Sequence, residues 1–205
     1  MSASLGSMTP PIDLREPSDD VARAARALAA EASPAFLLNH ALRTYGFAAL
    51  FARLDGVPFD PTFLYVGAIL HDLGLTDRFA TPRCFENDSA EAAYAFARRS
   101  GWDEDASHRL ALAIRLHMQP RVVIEDHGPG YLLSEATSCD VRGHRLDELP
   151  SAAVAETLER YPRAGFKAGF TELFARQAAE KPGCLADIYM KAGFAARVAA
   201  APFED

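Results

Sequence analysis

The chain has 205 residues, 49% of them hydrophobic and 24% charged, and carries a formal net charge of −7 at pH 7. This length can bury the core of one compact domain, and the negative balance excludes general binding of nucleic-acid polymers, which needs a basic surface. No apolar run approaches the roughly 20 residues of a membrane span, and the start of the chain lacks the basic and apolar regions of a signal peptide. We therefore expect a soluble, cytoplasmic protein.

Cysteines and lysines are few. Cys84, Cys139 and Cys184 are widely spaced, which predicts neither a disulfide framework nor a metal-binding cysteine pair. Before Lys167 the chain contains no lysine, so arginine is the only fixed cation in that part of the sequence.

Caps, glycines and prolines predict where helices begin and end. Residues 1–17 contain three prolines and are predicted to form a flexible arm, followed by a single domain over residues 18–205. The predicted helices cover residues 20–32, 34–54, about 61 through His71-Asp72, 88–101 with a capping box at Asp88, 103–118 and 130–142, with three alanine-rich segments after Pro150, Pro162 and Pro182. No alternating pattern is long enough to require a sheet. The predicted fold class is all-α.

The third helix carries the most informative feature. An apolar run ends there in the adjacent pair His71-Asp72, just before Gly74. Burying a carboxylate is costly unless something compensates it, and a divalent metal with nitrogen and oxygen ligands would do so. The alternative, an exposed Asp72 at a helix C-terminus, is disfavoured because its charge opposes the helix dipole.

Three more polar residues follow apolar residues at helical spacing, which places His40, His117 and Asp140 on inward faces. For His40 alone, a core histidine bonded to the backbone is the simpler interpretation. Asp140 is equally consistent with a buried ion pair to Arg142 or Arg145. Only the whole set, taken with His71-Asp72, favours a metal site.

The order His40, His71-Asp72, Asp140 resembles the HD superfamily of metal-dependent hydrolases. The resemblance covers about residues 34–145. It implies an HD-type helical bundle, extended here by additional C-terminal helices, in which these four residues bind one divalent metal. Ligand type alone permits zinc, iron, manganese or nickel.

Within the superfamily, four segments resemble the cyanamide hydratase group: His71–Phe79, Arg83–Ala90, Ala113–His117 and Asp140–Gly143. This resemblance implies an enzyme that activates water on a single metal to attack a small-molecule substrate. Its candidate catalytic residues are His117 and Asp140. The candidate residues of the substrate pocket are Arg43, Thr76, Arg78, Phe79 and Glu86. For Arg43, a surface salt bridge is the favoured alternative.

Two observations favour a hydratase over a phosphohydrolase acting on a nucleotide or other phosphoester. Leu75 stands where many phosphohydrolase members have a basic residue, and Lys167 is the first lysine. The phosphohydrolase remains an alternative, and a non-catalytic metal-binding sensor or scaffold is a further one. The C-terminal segments leave open whether the protein forms a homo-oligomer.

Overall fold

The structure is a computed structural model and describes residues 15–205, in which every regular element is helical. The α-helices of this range are α1 (Asp20–Ala32), α2 (Ala35–Leu54), α3 (Pro61–Leu70), α4 (Phe85–Arg99), α5 (Glu104–Leu116), α6 (Ile124–Arg142), α7 (Ser151–Arg160), α8 (Phe166–Glu180), α9 (Leu185–Lys191) and α10 (Phe194–Ala199). Single 3-10 turns lie at Leu73–Leu75 and Leu146–Glu148. The prediction of an all-α fold is confirmed. None of the described helices combines the length and apolarity needed to cross a bilayer.

Aspartate caps set the start of three helices. Asp19, Asp60 and Asp103 each accept a hydrogen bond from the backbone amide three residues later, at the starts of α1, α3 and α5. At the other end of α6, Gly143 takes a left-handed conformation with φ of 74°, which L side chains rarely adopt. These boundaries agree with those predicted from the sequence.

Two helix starts differ from the prediction. α4 begins at Phe85 rather than at Asp88, because the Asp88 carboxylate accepts hydrogen bonds from the Thr81 amide and hydroxyl in the preceding loop. α6 begins at Ile124, before the predicted start at residue 130, with a break at His127. There the His127 Nδ1 atom accepts a hydrogen bond from the Gly130 amide at 2.9 Å and caps the second part of the helix.

Two apolar clusters organise the interior. The larger one fills the space between α1 and the middle helices α2 to α6. The smaller one is built around the phenylalanines of the C-terminal helices α8 and α10, which pack on Leu37 and Phe85. α2 runs between the two clusters and contacts α3, α6 and α8. The C-terminal helices therefore cover the end of the bundle where His40 lies.

The predicted flexible arm falls mostly outside the described residues, which begin at Arg15. Its described end is fixed to the helical body by Glu16. The Glu16 carboxylate accepts hydrogen bonds from Tyr65 at 2.5 Å, Tyr161 at 2.8 Å and Arg26 at 2.6 Å. Burial opposes ionisation, but these partners outweigh it and lower the pKa of Glu16 below its ordinary value.

We expect Glu16→Gln to lower the free energy of unfolding at pH 7 by about 1 kcal/mol, because an amide bonds these donors less strongly at a half-exposed site. Since the folded pKa of Glu16 lies below the ordinary 4.5, the carboxylate stabilises the fold fully above pH 4.5. That contribution is lost as the pH falls through the folded pKa. Urea unfolding should show a smaller difference between variant and parent at pH 3 than at pH 7. Equal differences at both pH values would contradict this role.

The structure corrects the expectation for the cysteines. Cys84 and Cys184 form a disulfide with their Cα atoms 5.5 Å apart, although they are 100 residues apart in sequence. Each cysteine directly precedes a helix, α4 in one case and α9 in the other. Cys139 is free and buried. The bond joins the C-terminal helices to the body of the bundle. Because disulfides are rare in reducing compartments, the cytoplasmic location stays a prediction.

Loss of this disulfide should lower the free energy of unfolding by about 2–4 kcal/mol, because it releases a long loop in the unfolded chain. The measurement is urea unfolding of the parent with and without dithiothreitol, beside the Cys84→Ser/Cys184→Ser double variant. The reduced parent and the double variant should unfold alike, and reductant should not affect the double variant. A parent whose midpoint does not respond to reductant would contradict the assignment.

Candidate metal centre

The change from the α-helix α3 to a 3-10 turn lets the side chains of His71 and Asp72 converge. α3 ends at Leu70, His71 is still helical with ψ of −26°, and Asp72 at ψ of 11° leads into the 3-10 turn Leu73–Leu75. The turn packs closely on the start of α4, where a Cβ atom on Gly74 would overlap the Phe85 carbonyl oxygen. Glycine is required at this position because any side chain would clash with the backbone of α4.

His40, His71 and Asp72 face one another in the interior. The Nε2 atoms of His40 and His71 are 3.2 Å apart. The Asp72 Oδ2 atom lies 3.5 Å from the first of these nitrogens and 3.1 Å from the second. The relative exposure is 0% for both histidines and 4% for Asp72. One ligand atom of each residue lies within 4.8 Å of the other two, a spacing that can hold one metal ion.

The hydrogen bonds of the histidine Nδ1 atoms determine which ring nitrogen is free to bind a metal. The Nδ1 atom of His40 lies 2.7 Å from a carboxylate oxygen of Asp140. The Nδ1 atoms of His71 and His117 lie 2.7 Å and 2.5 Å from the carbonyl oxygens of residues 68 and 114. An ionised carboxylate and a carbonyl only accept, so each Nδ1 must carry the proton. In the neutral rings every Nε2 then presents a lone pair, as metal-ligating histidines do.

The surroundings of the Asp72 carboxylate show whether these residues fit a metal ion. Both of its oxygens are buried, and neither receives a hydrogen bond from the described residues. Burial raises the pKa of Asp72, but positive charge on His71, with smaller contributions from His40 and His117, outweighs burial and lowers the pKa to about 2. A bound cation would supply this positive charge when the three rings are neutral. An ionised, buried carboxylate without donors beside two imidazole lone pairs fits a divalent cation.

Asp140 lies on the other side of His40. Its carboxylate accepts bonds from Arg43 Nε at 2.7 Å and Nη2 at 2.8 Å, from His40 Nδ1 at 2.7 Å and from Arg163 Nη1 at 3.1 Å. These donors occupy both oxygens, so here Asp140 does not converge with His40, His71 and Asp72, which differs from the predicted four-ligand set. The arginine alternative also differs in its partners, which are Arg43 and Arg163 rather than Arg142 or Arg145.

The predicted pocket residues lie elsewhere. Arg43 is fully buried behind Asp140, neither at the pocket nor on the surface. The turn after Asp72 carries the chain away from the cavity: the Thr76 hydroxyl donates to the Leu73 carbonyl oxygen within that turn. The other three candidates have separate surroundings: exposed Arg78 pairs with Glu31, Phe79 packs on the larger apolar cluster, and Glu86 is buried.

A cavity of about 480 Å³ reaches His40, His71, Asp72 and His117. His117 is correctly predicted to face inward, and its Nε2 atom lies 3.8 Å from Asp72 Oδ1. Burial and the neighbouring His71 lower the pKa of His117 to about 4, so the ring is neutral at pH 7. The aromatic side of the cavity consists of Phe170, Phe174, Tyr189 and Phe194 from α8, α9 and α10.

Sequence reasoning missed this aromatic side and the arginines at the cavity mouth, Arg121, Arg142 and Arg197. Most of these residues lie beyond the segment that the HD resemblance covers. Their spacing within α8 is typical of any amphipathic helix, so no local signal marks them as part of a site.

Comparison with known proteins identifies the family of the chain. Residues 37–159 match a family model described as HD domain. Two cyanamide hydratases of Saccharomyces cerevisiae, DDI2 and DDI3, are each 27% identical to the chain over 172 residues, covering 81% of this chain and 76% of each relative. Since the family model matches more than half of the sequence and contains the whole His40–His71–Asp72 cluster, the chain belongs to the HD domain family of metal-dependent hydrolases.

Proposed function

We propose that this protein is a metal-dependent hydratase that adds water to a small nitrile-like molecule such as cyanamide. The observation that carries the proposal is an ionised Asp72, with imidazole lone pairs beside it, at the floor of a cavity. An accessible cluster favours catalysis over a purely structural or sensory metal site. The similarity to two proteins named cyanamide hydratase supports this kind of substrate.

His40, His71 and Asp72 would hold the metal. A divalent ion bound there would make water nucleophilic near neutral pH. In nitrile hydration the water oxygen bonds to the nitrile carbon and one water proton moves to the nitrile nitrogen. The second water proton then moves from that oxygen to the same nitrogen to give the amide, so no proton is consumed overall. His117 lines the cavity with an unprotonated Nε2 and is the residue we assign to these proton transfers. Asp140 does not line the cavity, so we assign it to positioning His40.

The assignment of His117 predicts a selective loss of turnover. His117→Gln should lower kcat about 100-fold, the usual contribution of a general acid–base group, while the metal content stays near that of the parent. Elemental analysis and steady-state kinetics on the same preparation give both values. As a control, exposed His108, whose side chain is 61% accessible, can be replaced by glutamine. Loss of metal in His117→Gln would instead make His117 a ligand.

The competing function is hydrolysis of a phosphoester. Arg121, Arg142 and Arg197 at the cavity mouth favour it, because phosphate chemistry calls for cations. The decisive experiment assays the protein, loaded separately with zinc, iron, manganese and nickel, against cyanamide and a nucleotide panel. We expect urea from cyanamide and no phosphate release. Release of phosphate from nucleotides without urea formation would overturn the hydratase.

A further inference from the structure

The cavity is larger than a substrate such as cyanamide would fill by itself. Its volume of about 480 Å³ falls in the range of roughly 300–1,000 Å³ that holds drug-sized ligands. Cyanamide has three non-hydrogen atoms and would occupy only the floor of the cavity, beside the side chains of His40, His71 and Asp72 (the metal cluster). The rest of the cavity has room for a further part of a larger ligand.

The aromatic side runs from the metal cluster towards the mouth. The Phe170 ring lies 5.3 Å from the His40 ring, and 4.7 Å from the Phe174 ring. Phe174 stacks on Phe194 with 4.5 Å between centroids, and Tyr189 is nearly parallel to Phe194 at 6.3 Å. Such a surface favours a flat or apolar ligand body, which it can contact by stacking.

The mouth is positively charged, in contrast to the net charge of −7. Arg121 lies in the loop between α5 and α6, Arg142 ends α6, and Arg197 lies in α10. Burial raises the pKa of Tyr189; the positive charges of Arg142 and Arg197 oppose that rise, and the negative charge of Glu86 adds to it. Arg142, Arg197 and Tyr189 line the same cavity although they come from different helices.

These arginines are not used to hold the fold together. Among the described residues, no carboxylate lies within ion-pair distance of Arg121, Arg142 or Arg197. The one hydrogen bond from these three side chains to a described residue goes from Arg197 to the carbonyl oxygen of residue 192. Glu135, the carboxylate that lines the cavity away from the metal cluster, is paired with Arg145 at 2.8 Å. Three exposed cations without anionic partners therefore face the opening.

We propose that the ligand of this cavity is an organic anion. Its oxyanion, a carboxylate or a phosphate, binds Arg142 and Arg197 at the mouth, with Arg121 nearby. Its flat apolar body lies on the aromatic side, and its reacting group reaches the metal cluster. This inference deepens the proposed function by defining the substrate class. It also revises the argument from Leu75: the cations that the sequence lacks beside Asp72 are supplied by other elements.

The test measures binding to the metal-loaded full chain by calorimetry. The probes are benzoate and phenylphosphonate, with benzamide as a neutral ligand of similar size. We expect the better of the two anions to bind at least about tenfold more tightly than benzamide. The double variant Arg142→Gln/Arg197→Gln should lose that advantage, whereas Arg99→Gln, on the exposed outer face of α4, should keep it. Whichever anion binds more tightly identifies the oxyanion.

Two outcomes would overturn the proposal: anions that bind no better than benzamide, or a double variant that binds them as tightly as the parent. The second result would mean that the anion binds at the metal instead of at the mouth. Circular dichroism and thermal unfolding verify that the variant is folded.

A kinetic experiment separates this inference from the proposed function. It compares 3-cyanobenzoate with benzonitrile, which share the nitrile group and the ring but differ in the carboxylate. Preference for 3-cyanobenzoate that disappears in the double variant supports both proposals. Hydration of cyanamide with no preference between the aromatic nitriles overturns only the anion inference. Arginine-dependent anion binding without hydration of any nitrile overturns only the hydratase.

Discussion

Asp72→Ala should abolish metal binding and lower kcat by at least about 1,000-fold, since a bound metal contributes several kcal/mol to the transition state. His71→Ala should have the same effect. Both residues contribute a ligand atom to the cluster, and the Asp72 oxygens have no other partner among the described residues. Elemental analysis after dialysis, followed by the cyanamide assay, measures both quantities.

Asp77 provides the matched control for these variants. It lies five residues after Asp72, its side chain is 89% accessible, and it pairs with Arg176. Asp77→Ala should retain metal and turnover. Asp72→Ala removes a buried carboxylate that accepts no hydrogen bond from the described residues, so the protein should stay folded, which circular dichroism verifies. Full metal content in both His71→Ala and Asp72→Ala would refute the centre.

Asp140→Ala should lower the free energy of unfolding by about 3–5 kcal/mol, the cost of leaving buried charges without their partner. The variant removes the carboxylate partner of Arg43, which is 0% exposed, and one of the two carboxylate partners of Arg163, which is 3% exposed. Arg43 keeps only its bonds to the carbonyl oxygens of residues 161 and 162. Arg163 keeps its bond to Asp205 at 3.2 Å, so Arg43 suffers the larger loss. Urea unfolding measures the effect.

The same variant tests whether Asp140 positions His40 or binds the metal itself. If Asp140 only positions His40, by accepting the hydrogen bond from its Nδ1 atom, the variant should bind metal about 10–100-fold more weakly, the usual effect of losing such a partner. A metal titration of the folded variant gives this value. Complete loss, equal to that in Asp72→Ala, would instead place Asp140 among the ligands, as the resemblance to the superfamily implies.

Local sequence was sufficient for most of the helices and for half of the centre. Asp19, Asp60 and Asp103 cap helices through bonds to amides three residues away, so the whole interaction lies within one short segment. His71 and Asp72 are adjacent in sequence, so their proximity needs no tertiary contact, whereas Gly74 is needed because α4 packs closely against it. The inward faces of His40 and His117 follow from apolar spacing within a single helix.

Only the tertiary structure decided the partners of Asp140, the disulfide and the walls of the cavity. Arg43 and Asp140 are 97 residues apart, and Cys84 and Cys184 are 100 apart. A helical pattern shows which side of a helix faces inward, but not which other helix it meets there. The metal cluster could be predicted because its central pair is local, whereas the cavity above it forms only when α8 to α10 pack across the end of the bundle.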